Sequence, residues 1–553
     1  MGSVLGFARV GTAAHSTTLR AGSRLSRSSE ARQPVLRPKS FANPASNKQA
    51  GILSLMISQK SAGSRRSVIT VFLVCLFLTL VTLGAAWGKS PNTNQTYDVV
   101  ILNGRVMDPE SGLDAVRNVG LKDGKIAVIT DQSLKGATTI DAKGLVVAPG
   151  FIDLHEHGQE PRNYEFQAHD GVTTSLELEV GTDDIDQWYA ARAGKSLINF
   201  GVSVGHVPVR MKVMHDPSDF LPSGDAEHKR ASAEQIAEME KMIERGLDRG
   251  ALAVGMGIAY TAAADHDEIV RMFQVAAKFK APVHVHLRYY GSREPATALV
   301  GLEEVIAAAA ATGAPLHVVH IASTGLLETP QLIAMVEGAR KHGLDVTMEC
   351  YPYTAASTRI ETSNFDPGWQ EARGIGYGDI QWAATGERLT AESFERFRKQ
   401  GGDVVIFGIP DSAVRAAVAN PQIMIASDGM RISGPRVHPR GQGTFARVLG
   451  HYVREEKALD LMTALRKMTL MPAQRLEKRA PLFKNKGRIR VGADADITVF
   501  DPNRIIDKAT YEEPLQYSEG VEFVLVNGTP VVKSGQLVQG VFPGQAARAP
   551  ISR

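Results

Sequence analysis

Apolar residues along this chain fall into two alternating patterns. Short runs such as Val146-Val147-Ala148-Pro149-Gly150-Phe151-Ile152, Pro282-Val283-His284-Val285-His286, Pro315-Leu316-His317-Val318-Val319-His320 and Gln422-Ile423-Met424-Ile425-Ala426 read as buried strands. Between such runs, Glu234 to Arg249 spaces Ile236, Met239, Ile243 and Leu247 at helical intervals, and Asp267 to Phe279 and Pro330 to His342 read alike. Strand and helix therefore alternate as βα units, the pattern of a parallel sheet. Ligand-type residues at several strand ends favour closure into a (β/α)8 TIM-like barrel, which assembles its chemistry on that face.

The flanks read differently. Tyr97 to Gly104, Val119 to Ile129, Gly487 to Ile489 and Val521 to Gly528 are short strand patterns joined by Gly turns. They predict one small β-sandwich built from both ends of the mature chain, residues 96–148 and 485–545, beside a barrel at 149–484. Within the barrel, Thr358 to Gly402 reads as a loop or lid near the mouth, where specificity resides.

Residues 1–55 are rich in Ser, Ala and Arg, lack apolar periodicity, and are expected to be disordered or upstream of the true start. Residues 56–90 form a better leader: Met56, then Lys60, Arg65 and Arg66, the apolar stretch Val68 to Leu83, and the small residues Gly84-Ala85-Ala86. This is a signal-peptide pattern, and Ser64-Arg65-Arg66-Ser67-Val68 hints at a twin-arginine signal. Export to the periplasm or the exterior is expected. The alternative is membrane attachment through residues 68–83, although about 16 apolar residues fall short of the roughly 20 a spanning helix needs.

Composition narrows the class. The 553 residues suffice for one large barrel and a small appended domain, and a net charge of +3, much of it in the leader, gives no reason to expect a nucleic-acid partner. Of two cysteines, Cys75 lies in the leader, so the mature part has no intrachain disulfide. Cys350 is read as a buried core thiol.

The chemistry starts at His155-Glu156-His157. Two residues apart on a strand, both imidazoles project from one side at a sheet mouth, a metal-ligand geometry. His286 and His320 close two later strands, and Ser427-Asp428-Gly429 closes another. Four to six such ligands suit one or two divalent ions, and a two-ion site with its ions about 3.5–4 Å apart needs a bridging anion. In Gly171-Val172-Thr173-Thr174-Ser175-Leu176-Glu177-Leu178-Glu179, Glu177 and Glu179 share a face, and Glu179, nearer the strand's C-terminal end, is the favoured bridge. Asp428 is then a terminal ligand or a general base. His284 and His317 are assigned to packing, on the opposite strand face from a metal or too early in the strand. His206 is read as a structural residue or a substrate contact.

These motifs resemble the amidohydrolase superfamily, and within it are most similar to the N-acyl-D-amino-acid deacylases (D-aminoacylases). The general signature is Pro149-Gly150-Phe151-Ile152-Asp153-x-His155-x-His157 with the later histidines and Ser427-Asp428-Gly429. Closer matches are Gly257-Ile258-Ala259-Tyr260, Cys350-Tyr351-Pro352-Tyr353-Thr354, His438-Pro439-Arg440 and Ala493-Asp494-Ala495-Asp496, within a similarity spanning roughly residues 96 to 545. The resemblance implies a zinc-dependent barrel of amidohydrolase type, with one or two ions. His155 and His157 would serve one ion, His286 and His320 the other, with Asp428 as ligand and acid/base. Tyr260 and Arg440 would hold the substrate; Arg288, at the His286-Leu287-Arg288 strand end, is a further substrate candidate that could instead pair with a rim carboxylate.

Two departures from the family stand out. The bridging position, a cysteine in D-aminoacylases, is a glutamate here, and the lysine often found two residues past the second-site histidine is Ala322. The expected activity is hydrolysis of a linear amide, an N-acyl-D-amino acid such as N-acyl-D-glutamate, to a carboxylate and a free D-amino acid. The alternatives are a cyclic-amide hydrolase of the dihydroorotase or hydantoinase kind, a dipeptidase, or an inactive membrane-tethered binding protein.

Overall fold

A computed structural model describes residues 96–552. The segments read as leader, signal peptide and membrane anchor lie outside the described residues. Among the described residues, no helix is long and apolar enough to cross a membrane.

Strands β1 (Thr96–Asp108), β2 (Leu113–Lys122), β3 (Lys125–Thr130), β4 (Lys135–Asp141) and β5 (Val146–Pro149) come first. They pair with β17 (Ile497–Phe500), β18 (Val521–Val526), β19 (Thr529–Lys533) and β20 (Gln536–Leu537) in one nine-stranded sheet, ordered β20-β19-β18-β17-β5-β1-β2-β3 with β4 also on β1. Val99, Ile101, Val119, Ile126, Val147, Ile497 and Val499 share one apolar core, so both ends of the described chain build this layer together.

The second sheet is parallel. It runs β6 (Phe151–Asp153), β7 (Val172–Thr182), β8 (Asn199–Gly205), β9 (Val254–Gly257), β10 (Val283–His286), β11 (Leu316–Val318), β12 (Val346–Cys350) and β16 (Met424–Ile425), in that spatial order. All but three of these strand residues, at the end of β7 and in β12, are buried, the reading of strands covered on both faces. The last strand returns to the first just beyond their ends: Asp428 N donates to His155 O at 2.7 Å and His157 N to Gly429 O at 2.8 Å. This closure is tight, because a Cβ on Gly429 would collide with the Glu156 carboxylate.

The helical spacing holds to within a residue. The expected helix at 234–249 forms over Ala233–Asp248, started by a capping box between Ser232 and Gln235, and it buries Ile236, Met239, Ile243 and Leu247. Each such side chain contributes about 1.5–3 kcal/mol by leaving water. The expected helices at 267–279 and 330–342 form over His266–Lys278 and Thr329–Lys341.

The segment read as a loop is a folded insert. β13 (Ala355–Arg359) and β14 (Ile380–Trp382) pair antiparallel with β15 (Asp403–Phe407), and the helix Ala391–Gln400 packs Phe394 and Phe397 against them. Phe365, Trp369 and Trp382 complete its own apolar core. Its elements are too short and too aromatic to show a period in the sequence.

Candidate metal centre and active site

Closing the barrel brings the ligand-type residues of five strand ends to one mouth. Nε2 of His155 lies 3.2 Å from Nε2 of His157 and 2.8 Å from Glu179 Oε2, and Glu179 Oε2 is 3.3 Å from His157 Nε2. Asp428 Oδ1 is 3.3 Å from both imidazole nitrogens. The other Glu179 oxygen, Oε1, lies 2.7 Å from His286 Nδ1, which is 3.1 Å from His320 Nε2. Glu179 alone belongs to both groups.

These spacings suit a cation. A tetrahedral ion with bonds of about 2.0–2.1 Å holds its donors about 3.3 Å apart, as four of the five spacings in the first group are. Burial pulls the His155 and His157 imidazoles down, but the carboxylates of Asp428, Glu179 and Glu177 push both well above the ordinary histidine range. The mouth is thus a pocket of carboxylates that favours positive charge. Burial and His286 instead hold His320 down, to about 3, so it is neutral and able to ligate. His320 (φ 32°) and Asp428 (φ 52°) both take left-handed backbone, a strain that non-glycine residues tolerate where the surroundings hold them.

Behind the donors stands a second layer that orients each ring. Nδ1 of His155 meets Glu349 Oε1 at 2.7 Å, Nδ1 of His157 meets Glu177 Oε2 at 2.6 Å, and Nδ1 of His320 meets Ser323 Oγ at 3.1 Å. Glu177 therefore stands behind His157, and Glu179 is the carboxylate the two groups share. Burial raises the Glu349 carboxyl, but His317 and His155 outweigh it and hold it at about 2. His317 supports the same carboxylate, Nε2 to Glu349 Oε2 at 2.9 Å.

Some sequence assignments change. His284 shares the inward face of β10 with His286, as residues two apart on a strand must, and packs tilted against His317 with ring centres 4.4 Å apart. Neither its position nor that of His317 is on the opposite face. Arg288 is not brought into the pocket: its guanidinium pairs with Glu304 at 2.8 and 3.0 Å and donates to the carbonyls of Ala262 and Ala264. His206 is locked against Glu268 at 2.7 Å, beside Arg210, away from the mouth. Cys350 is a buried free thiol pushed up to about 12 by burial.

Tyr260 and Arg440 do line the pocket. Tyr260 stands edge-on to His286, ring centres 4.9 Å apart, and its hydroxyl accepts from Thr358 at 3.1 Å. Arg440 is fully buried; Nη1 lies 2.8 Å from Asp428 Oδ2 and Nε has no hydrogen-bond partner. Burial pushes the Asp428 carboxyl up, but Arg440 and His155 reverse that and hold it below the usual carboxylate range. Glu349 and the pocket residues Tyr290, Asn364 and Arg373 had no signal in spacing; a lone carboxylate inside the apolar strand Val346–Cys350 is the one clue that could have found Glu349.

Residues 209–532, more than half of the chain, match the model of the amidohydrolase family. The chain belongs to the amidohydrolase family. Among similar amidohydrolases, the N-acyl-D-glutamate deacylase of Alcaligenes xylosoxydans xylosoxydans is 29% identical over 482 residues, 78% of this chain and 93% of that protein. The D-aminoacylase of the same organism is 28% identical over 519 residues, 84% of this chain and 99% of that one. The solved N-acyl-D-glutamate deacylase of Bordetella bronchiseptica, complexed with zinc and a phosphonate mimic of the tetrahedral intermediate, superposes with a TM-score of 0.70 at 27% identity, covering 82% of this chain and 100% of its own. This amidohydrolase is therefore a hydrolase of carbon–nitrogen bonds other than peptide bonds, and its clustered histidines and carboxylates form a divalent-metal site.

Proposed function

We propose that this amidohydrolase cleaves N-acyl-D-amino acids, N-acyl-D-glutamate among them, to a carboxylate and the free D-amino acid, with zinc as its ion. Two observations support the class: the deacylase relatives, and a donor set of imidazole nitrogens and carboxylate oxygens that suits zinc. The observation that carries the mechanism is the placement of Asp428, with Oδ1 facing the His155/His157 donors and Oδ2 on Arg440.

His155, His157, Glu179 and Asp428 would hold one ion, and Glu179, His286 and His320 a second. An ion so held would supply polarisation of an acyl carbonyl and a lowered pKa for water. Asp428 accepts the proton of the attacking water and passes it to the leaving nitrogen as the carbon–nitrogen bond breaks, so the amine departs neutral. Arg440 holds the substrate carboxylate through the N–H groups it does not give to Asp428, and Tyr260 orients the acyl end. Glu349 and Glu177, on the Nδ1 atoms of His155 and His157, would keep both rings in the tautomer whose Nε2 is free to ligate.

Cyclic-amide hydrolysis is the competing reading, but those enzymes usually bridge their metals with a modified lysine, and Glu179 holds that place here. An inert binding protein is disfavoured by an intact ligand set. Release of free D-amino acid by the zinc-loaded chain tests the proposal.

A further inference from the structure

The metal pocket itself is small, about 30 Å³, and beside it toward the insert lies a second cavity of about 500 Å³. Three residues line both spaces and form the neck between them: Tyr290, Asn364 and Arg373. Tyr290 is fixed by its hydroxyl on Nε2 of His286. The Arg373 guanidinium lies over its ring, 3.8 Å from the centre.

The neck carries unspent donors. Among the described residues Arg373 has no carboxylate partner, and the nearby Glu371 pairs instead with Arg293 at 3.5 Å. Asn364 is only 8% exposed, and its Nδ2 makes no well-formed hydrogen bond, lying with Arg373 beside the Tyr290 hydroxyl. A buried amide N–H without a partner has lost its water and gained nothing in return, so a ligand that supplies an oxygen there regains that penalty. A cation and an orphaned donor facing one neck call for an anionic acceptor, and a carboxylate presents two oxygens to such a pair.

We propose that this neck is a subsite for a second carboxylate of the substrate, beyond the one Arg440 takes, held by Arg373 and Asn364. The inference rests on the deacylase reading above and narrows its substrate class to dicarboxylates. The second carboxylate comes either from an acidic side chain on the amino acid or from the far end of a dicarboxylic acyl group. The outer cavity accommodates whatever extends past the neck.

Matched substrates separate the two sources. The zinc-loaded full chain is assayed on N-acetyl-D-glutamate against N-acetyl-D-glutamine, and on N-succinyl-D-alanine against N-butyryl-D-alanine. The expected result is a preference for the dicarboxylate in one pair, and that pair names the source. In Arg373→Met the kcat/KM ratio within that pair falls about ten- to a hundredfold, the loss of one charge-assisted contact. Asn364→Asp, which sets a negative charge against the ligand, lowers it too, and Arg373→Lys retains part of it. Calorimetric titration with glutarate reads the subsite without turnover. Weaker glutarate binding in Arg373→Met with no amide cleaved by any variant keeps the subsite and discards the deacylase reading. Turnover with ratios and glutarate binding unmoved by these substitutions overturns the subsite and leaves the deacylase reading standing.

Discussion

Glu349 Oε1 lies 2.7 Å from Nδ1 of His155, on the side of the ring facing away from the metal donors. The carboxylate favours the proton on Nδ1 and would so leave Nε2 with a lone pair for an ion. Replacing it by glutamine keeps the volume and removes the charge. Glu349→Gln is expected to weaken metal affinity about ten- to a hundredfold, read by competition with a chromogenic chelator. Unchanged affinity would mean that Glu349 serves packing alone.

Asp428 offers one oxygen to the metal donors and the other to Arg440. If its main work is proton transfer, Asp428→Asn loses about 10²–10⁴-fold in kcat while metal content after dialysis stays near that of the parent. Loss of metal together with activity would make it chiefly a ligand.

Gly429 sits where the last barrel strand meets the first, with the Glu156 carboxylate filling the space a side chain would need. Gly429→Ala forces the closure apart, an overpacking that costs about 1–3 kcal/mol. A lowered thermal midpoint with reduced metal retention is expected, since His155 and Asp428 are joined by the same backbone bond.

Burial alone would raise the Glu268 carboxyl, but His206 and Arg210 outweigh it and hold it at about 2 against an ordinary 4.5. A carboxyl lowered on folding stabilises the protein above its unfolded value and loses that contribution as pH falls through its folded one. Glu268→Gln is therefore expected to be less stable than the parent by about 2–3 kcal/mol near neutrality. The gap narrows between pH 4.5 and 2. Denaturant melts of both proteins across that range check it; a gap independent of pH would remove the ionised Glu268 as its cause.

The barrel and the cluster of ligand-type residues at its mouth were legible because their signals are local. His155 and His157 are two apart on a strand, His286, His320 and Asp428 each close an apolar run, and Glu179 lies nearer the strand end than Glu177. What strand parity governs was misjudged for His284, whose two-residue spacing from His286 already demands the same face. Arg288 was drawn toward the site by its neighbour His286, but the strand ends at His286, so its parity does not carry on to Arg288, and Glu304 holds the guanidinium at the rim. Glu349 gave only the weak signal of one carboxylate in an apolar strand. The neck residues Asn364 and Arg373 belong to an insert whose elements of three to ten residues hold together through aromatic contacts among themselves, which no periodicity announces.

The most direct measurement uses purified, zinc-loaded protein with a panel of N-acetyl-D- and N-acetyl-L-amino acids, dihydroorotate and hydantoin. Deacylase function predicts release of free D-amino acid, lost on chelation and restored by zinc. Ring opening of a cyclic amide with no turnover of the D series, or a metal-loaded protein inert toward every substrate, would contradict it.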